Sequence, residues 1–400
     1  MAAIPTRPKP PTAAEDQFVD AARVWSEGPA PLRDALPGLS DRKRLRIAMV
    51  LPYFGRGSGG HYILLQILSR LEQRGHVCSV WMHDHLGRTK ALWPGQLRHD
   101  LREYFAPIQA PVYNSFDEWH GADIAIATGW ETVHPVLRLP GCYARAYIVN
   151  DHEPKFFGTA AERRVAEDTY VHGLHCIAGS PWLANLLRTR YRASADVFDF
   201  GVDHDVYRPR EIARRQDTVI YYARESTPRR AVPFGLAALA ELHRRRPGIR
   251  IVLFGFAGDV KATFPYAHAG VISPLELSWL YSEATVGLCL SLTNFSLMPK
   301  EMLACGLPCV EVAGVSAESI FGAQGPIELA PLHPTRIADS IEKLLDDPTL
   351  RERRSREGVA FVASQTWDHA TDQVEAGLRH VLRLSEAKPA DGQRYNLSST

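Results

Sequence analysis

The chain has 400 residues, of which 45% are hydrophobic and 23% charged, with a formal net charge of +1. That is enough chain for two globular domains, and the charge is too balanced to point to nucleic acid as a partner. No apolar stretch approaches the roughly 18 to 20 residues of a membrane span, so any membrane contact is expected to be peripheral. The six cysteines (Cys78, Cys142, Cys176, Cys289, Cys305 and Cys309) sit mostly in apolar runs, where they behave as small core hydrophobes. A reduced, cytoplasmic protein is expected.

Residues 1–40 are proline-rich with one short helical stretch near Phe18 to Trp25, and read as an extension outside the core fold. A first domain over 41–208 then opens with an apolar strand at Leu45 to Leu51. A glycine cluster follows at Gly55 to Gly60, and a helix whose Tyr62, Leu65, Leu68 and Leu71 repeat at helical spacing stops at Gly75. Further strands are expected at Val77 to Met82, Asp123 to Thr128 and Ala146 to Val149. The pattern restarts in a second domain over 209–385. It has strands at Val219 to Ala223, Ile249 to Gly255 and Val286 to Leu290, and helices at Phe234 to Arg246, Pro274 to Ser282, Pro334 to Leu345 and His369 to Leu384. The last helix is able to pack back on the first domain, and residues 386–400 read as a flexible tail. Short buried strands alternating with helices make two parallel α/β sheets.

Gly55, Gly57 and Gly60 spell a G-x-G-x-x-G loop between strand and helix, with Asp84 near the end of the next strand. A dinucleotide site needs these features, so an NAD-dependent oxidoreductase is one reading. The other is physical: Gly59 and Gly60 let backbone approach a ligand, and the helix start offers N–H groups to an anion. Asp203-His204-Asp205 resembles a metal-binding D-x-D but falls in a turn near the domain junction. His83, Asp84 and His85 alternate across a strand end, which disfavours a shared ion. No metal site is expected.

In the second domain, Arg224 ends a buried strand, and Arg229 and Arg230 follow at the spacing of a short loop. Permanently charged, multidentate guanidiniums at a strand end suit the developing charge of a departing nucleoside diphosphate without a metal ion. In the first domain Asp151, His152 and Glu153 follow a strand, at the carboxyl edge where open α/β sheets bind ligands. His152 is expected to hydrogen-bond sugar or acceptor, and Asp151 or Glu153 to position the acceptor hydroxyl.

Several segments resemble, in order, those of GT-B glycosyltransferases of family 4. They are Gly201-Val202-Asp203 with Tyr207-Arg208-Pro209, Tyr222-Ala223-Arg224, Phe254 to Asp259, Leu277 to Tyr281 with Ala284, and Asn294 to Gly306 with Glu301 inside it. Val149-Asn150-Asp151-His152-Glu153-Pro154 and Thr128-Gly129-Trp130-Glu131 are similar to segments of bacterial rhamnosyltransferases of surface polysaccharide synthesis. The resemblance implies a GT-B fold with two Rossmann-like domains facing across a cleft, and retaining transfer of a hexose or deoxyhexose to a glycan or lipid-linked acceptor. Rhamnose from dTDP-rhamnose is the favoured donor, with a UDP sugar next. No cofactor is implied beyond that nucleotide-sugar co-substrate.

By the same resemblance Arg224 and Arg230 hold the diphosphate, Glu301 the ribose hydroxyls, and Asn294, Phe295 and Ser296 lie along the donor. The chain departs from the family pattern where the first glutamate of its acidic pair is replaced by Thr293. That departure also makes a non-catalytic nucleotide-sugar-binding module a third reading.

Overall fold

The computed structural model describes residues 13–84, 87–89 and 92–387. Its first half runs α1 (Ala13–Glu27), β1 (Arg46–Pro52), α2 (Gly59–Gln73), β2 (Val77–His83), α3 (Pro94–Tyr104), β3 (Val112–Tyr113), β4 (Ala122–Ala127), α4 (Trp130–Arg138), β5 (Cys142–Val149), α5 (Ala161–Asp168), β6 (His175–Ala178), α6 (Pro181–Tyr191) and β7 (Ala195–Val197). All seven strands are parallel, in the order β3-β2-β1-β4-β5-β6-β7. The inner strands read as near-continuous apolar runs because helices cover both faces; every residue of β4 is buried.

The second half contains β8 (Thr218–Tyr222), α7 (Val232–Arg245), β9 (Arg250–Phe254), β10 (Ala267–Gly270), α8 (Pro274–Glu283), β11 (Val286–Leu288), α9 (Leu297–Ala304), β12 (Cys309–Val312), α10 (Val315–Phe321), β13 (Glu328–Ala330), α11 (Pro334–Asp346), α12 (Pro348–Val362) and α13 (Trp367–Glu386). Its sheet is again parallel, in the order β10-β9-β8-β11-β12-β13. In each sheet the winding direction reverses beside the first strand, between β1 and β4 and between β8 and β11. Such a reversal opens a crevice beyond the strands' carboxyl ends. The two crevices face one another.

Residues 1–40 do not stand apart as a group. The α1 helix buries Ala21 and Val24 in the first half, Trp25 Nε1 donates to Asp168 at 2.8 Å, and Arg138 donates to the carbonyl of Gly28 at 2.9 Å. The apolar side of the helix has a partner on α4, so the extension is part of the first layer; residues 1–12 lie outside the described region. The chain crosses between halves twice. The outgoing segment after β7 and the returning segment before α13 run side by side, joined by a parallel bridge between Val202 and Thr366 and by Val202 N–H donating to the Gln365 carbonyl at 2.8 Å. There Gly201 has no room for a Cβ, which would sit 2.5 Å from Trp367 N. The α13 helix then packs on α2, β5 and β6 and is fastened by polar contacts: Glu375 pairs with Arg74 and lies 3.3 Å from His76 Nε2, and His380 Nδ1 lies 2.8 Å from Asp196.

Candidate functional site

Two adjoining cavities occupy the cleft between the sheets' carboxyl edges. The larger is lined by Ser58, Gly59 and Tyr62 from the first half and by Tyr222, Leu277 and Glu301 from the second. The smaller is polar and is bounded by Gly59, Gly60, Asp151, Arg224, Arg229 and Arg230. The cation-rich wall follows from local folding. β8 ends at Tyr222 and delivers Arg224 to the rim, and a single 3-10 turn at Pro228–Arg230 brings the next two arginines back to the same edge.

Arg224 Nη1 donates to the carbonyl of Gly57 in the facing glycine loop. Gly57 adopts φ +78°, in the left-handed region, and a Cβ there would meet Arg224 Nη1 at 3.4 Å. Arg230 is buried and donates to Ser291 Oγ. Ser291 N–H in turn donates to Glu311 Oε1 at 2.8 Å. Glu311 is fully buried, and burial pushes its carboxyl up to about 8. Arg229 Nε lies 3.0 Å from Asp151 Oδ2, and its guanidinium sits 3.9 Å over the Phe156 ring, a face that attracts cations.

Glu301 lies on α9, 5% exposed, with Oε2 unpartnered. Burial raises its carboxyl to about 8, a rise that hydrogen bonding with Tyr207 opposes. A buried acceptor without a partner in a cavity wall is a place for a ligand hydroxyl.

The first-half triplet behaves differently from the expectation. Asp151 accepts at Oδ1 from His152 N–H at 2.8 Å and from Asn294 N–H at 2.9 Å. At Oδ2 it accepts from Thr293 Oγ1 at 2.9 Å and faces Arg229. Three hydrogen bonds and the Arg229 ion pair make Asp151 a joint between the two halves, at the edge of the polar cavity. His152 is fully buried, with Nε2 at 2.7 Å from Tyr191 Oη, and burial lowers its pKa to about 4. Glu153 Oε2 accepts from Trp130 N–H at 2.6 Å and Tyr147 Oη at 2.9 Å inside the first layer. Burial, then the neighbouring Glu131, lift it to about 8. Of the three, Asp151 borders the polar cavity, whereas His152 and Glu153, expected at the substrate, line neither cavity and hold the wall together.

Asn294, expected along the donor, bonds its amide within the protein. Its side-chain NH2 donates to Asn150 O at 2.9 Å and Gly179 O at 3.3 Å, and its Oδ1 accepts from Ser180 at 3.0 Å and Ser316 at 3.2 Å. Phe295 stacks on Phe200 at 4.8 Å, and the expected donor-lining Ser296 does border the polar cavity.

The other motifs have local uses. Asp84 accepts from Thr89 N–H in its own turn, the work of a loop cap and not of a ribose clamp. Asp203 Oδ1 accepts from Asp205 N–H at 3.1 Å, closing a turn; His85 lies outside the described residues. At the end of α7, Arg245 and Arg246 reach Asp339, Glu342 and Asp346 on α11, so their charge is largely neutralised within the protein. Phe156 and Glu311 are not singled out by the sequence patterns. Only Glu311 left a signal, as a lone acid inside the apolar run Cys-Val-Glu-Val.

Residues 217–342 match the family described as WsaF, C-terminal domain. Over 265 residues the chain is 29% identical to the O-antigen biosynthesis protein RfbC of Myxococcus xanthus, a match covering 64% of this chain and 20% of that protein. It is 28% identical over 218 residues to a D-inositol 3-phosphate glycosyltransferase of Mycobacterium avium (strain 104), covering 48% of this chain and 50% of the relative. The chain thus spans from a fifth to about half of the length of these curated relatives. Among solved structures, HepE from Anabaena in complex with UDP-glucose aligns with a TM-score of 0.63 at 14% identity, covering 84% of this chain and all of that one. Sucrose-phosphate synthase from Thermosynechococcus elongatus aligns with a TM-score of 0.61 at 14% identity, covering 86% of this chain and all of that one. With two parallel sheets facing across a cleft, the chain has the GT-B glycosyltransferase fold.

Proposed function

We propose that this chain is a glycosyltransferase that takes a sugar from a nucleoside diphosphate and passes it to a hydroxyl of a glycan or lipid-linked acceptor. One observation carries the reading: Arg224, Arg229 and Arg230 converge on a single interdomain cavity, beside a second cavity in which buried Glu301 holds an unpartnered oxygen. Breaking the sugar–phosphate bond leaves a nucleoside diphosphate, and fixed guanidiniums in a partly dehydrated cleft stabilise the charge that develops on it. Glu301 accepts from the ribose, and the apolar and tyrosine walls of the larger cavity take the base. The arginines supply the positive charge, so the proposal requires no divalent ion.

The finer reading is retaining transfer of rhamnose from dTDP-rhamnose, with a UDP-hexose second, by a cytoplasmic enzyme in contact with the inner membrane face at most. The similarity to an O-antigen biosynthesis protein supports a polysaccharide acceptor, and the UDP-glucose carried by HepE supports a nucleotide-sugar donor. Among the described residues no helix is long and apolar enough to cross a membrane.

Calorimetric titration of EDTA-treated protein with dTDP, UDP, GDP and NAD tests the reading. Binding of one diphosphate that is lost in Glu301→Ala and Arg230→Ala is expected. Binding of NAD alone would sink the proposal. Binding of a nucleotide sugar that is never consumed with any acceptor would reduce it to a binding module.

A further inference from the structure

Ser58 stands at the N-cap of α2, where a serine hydroxyl ordinarily accepts a hydrogen bond from the second or third backbone N–H of the helix. It makes no such bond. Its Oγ instead lies 2.8 Å from Nδ1 of His61. The far side of that ring fixes the direction. His61 Nε2 is 3.2 Å from the carbonyl oxygen of Pro52, and a carbonyl only accepts, so Nε2 carries the ring hydrogen. The ring is buried against Phe54 and Phe105; burial lowers its pKa to about 4, leaving Nδ1 bare at neutral pH. Ser58 therefore donates its one hydrogen to His61. Its oxygen is left as an acceptor only, beside helix-start N–H groups that no side chain caps.

A donor next to an acceptor-only oxygen is the complement of an alcohol, which accepts from the N–H and donates to the serine. A diphosphate oxygen has no hydrogen to give and would set its charge against the Ser58 lone pairs. A separate feature lies in the same cleft: Ser58 and Gly59 border both cavities, and in the larger they share the lining with Glu301, whose Oε2 is buried without a partner.

We infer that Ser58, held by His61, makes the start of α2 a hydroxyl-recognition site, leaving the diphosphate to the arginines of the facing half. This rests on the glycosyltransferase reading and divides its cleft: Ser58 is a specificity residue that touches a substrate hydroxyl, and His61 is a positioning residue that acts through it. The alcohol can belong to the donor sugar or to the acceptor.

The test compares wild type, Ser58→Ala and His61→Phe by calorimetry, with a nucleoside diphosphate and its nucleotide sugar, and by the KM for acceptor; thermal unfolding checks that each variant is folded. Both variants are expected to bind the diphosphate within about twofold of wild type. If the donor sugar is the ligand, they lose roughly five- to tenfold in nucleotide-sugar affinity, the scale of one hydrogen bond. If the acceptor is the ligand, the loss moves to its KM. A folded Ser58→Ala that weakens the diphosphate itself, or changes neither sugar nor acceptor, overturns the inference. Wild type that binds no nucleotide at all overturns the glycosyltransferase reading beneath it.

Discussion

The cleft's two walls use charge in opposite ways. On the second-half wall, Arg224 and Arg230 are anchored by single neutral partners, Gly57 O and Ser291 Oγ, which leave most of their donors unspent. On the first-half wall the ionisable groups are largely engaged within the protein: Asp151 accepts three hydrogen bonds and faces Arg229, His152 Nε2 meets Tyr191, and Glu153 serves Trp130 and Tyr147. A guanidinium has five donors and stays charged after one is used. A carboxylate only accepts, and each bond it takes from the protein leaves fewer lone pairs for a ligand. Active capacity thus depends on the donors or lone pairs that remain after folding, more than on how many ionisable groups a segment carries.

The comparison can be broken most decisively at the arginines. Arg230→Ala is expected to weaken nucleoside diphosphate binding by roughly ten- to a hundredfold, the scale of a charge-assisted hydrogen bond, measured by calorimetry; Arg224→Ala is expected to do somewhat less. A wild-type affinity in either variant would place the anion elsewhere.

Asp151→Asn comes next. It removes the charge facing Arg229 and one of the two acceptor oxygens, and is expected to lower stability by about 1–3 kcal/mol in chemical denaturation. Its effect on diphosphate affinity is expected to be smaller than that of Arg230→Ala. A variant of full stability that has lost turnover would return Asp151 to catalysis.

Glu311 sharpens the picture through pH. Burial holds its pKa near 8, against an ordinary value of 4.5. Between these values the unfolded chain has released a proton that the folded chain keeps. The contribution is therefore fully present below about pH 4.5 and is lost as pH rises toward 8, at no more than about 1.4 kcal/mol per pH unit. Glu311→Gln should flatten the decline in unfolding free energy between pH 6 and 8; an unchanged slope would mean that Glu311 is ionised in the fold. The smallest effect is expected from His152→Phe, which should leave diphosphate affinity within about twofold.

Much of this architecture was legible in the sequence. Inner strands such as β1 and β4 are apolar on both faces, and α2 repeats its leucines at helical spacing, so neither depends on distant context. The edge strands β3, β7 and β13 have only two or three residues, too few to show a period. For the site, position was readable and orientation was not. Strand-end placement puts Arg224 and Arg230 at the cleft rim, as the sequence pattern predicts, and the family resemblance singles out Glu301, which lines the larger cavity. Asp151, His152 and Glu153 occupy an equally suitable rim, yet their side chains turn to Asn294, Tyr191 and Tyr147, residues that only the folded chain brings near. Thr293, which departs from the family pattern, donates to Asp151 across the cleft, a use invisible without that partner. The α1 helix was placed outside because its partner α4 lies more than a hundred residues away.

The paired crossing at Val202 and Thr366 is expected to limit how the two halves move. A single tether lets two bodies swivel about its axis as well as swing. Two threads bonded side by side resist swivelling and leave the swing, as two pins on one edge do for a door. The halves should then approach along one arc, returning Arg224 to Gly57 and Arg229 to Asp151 in the same alignment each time the cleft shuts. Cutting the chain after Val362 would remove one pin along with α13 and strip cover from the first sheet, and the cleft would lose its alignment as well as a helix.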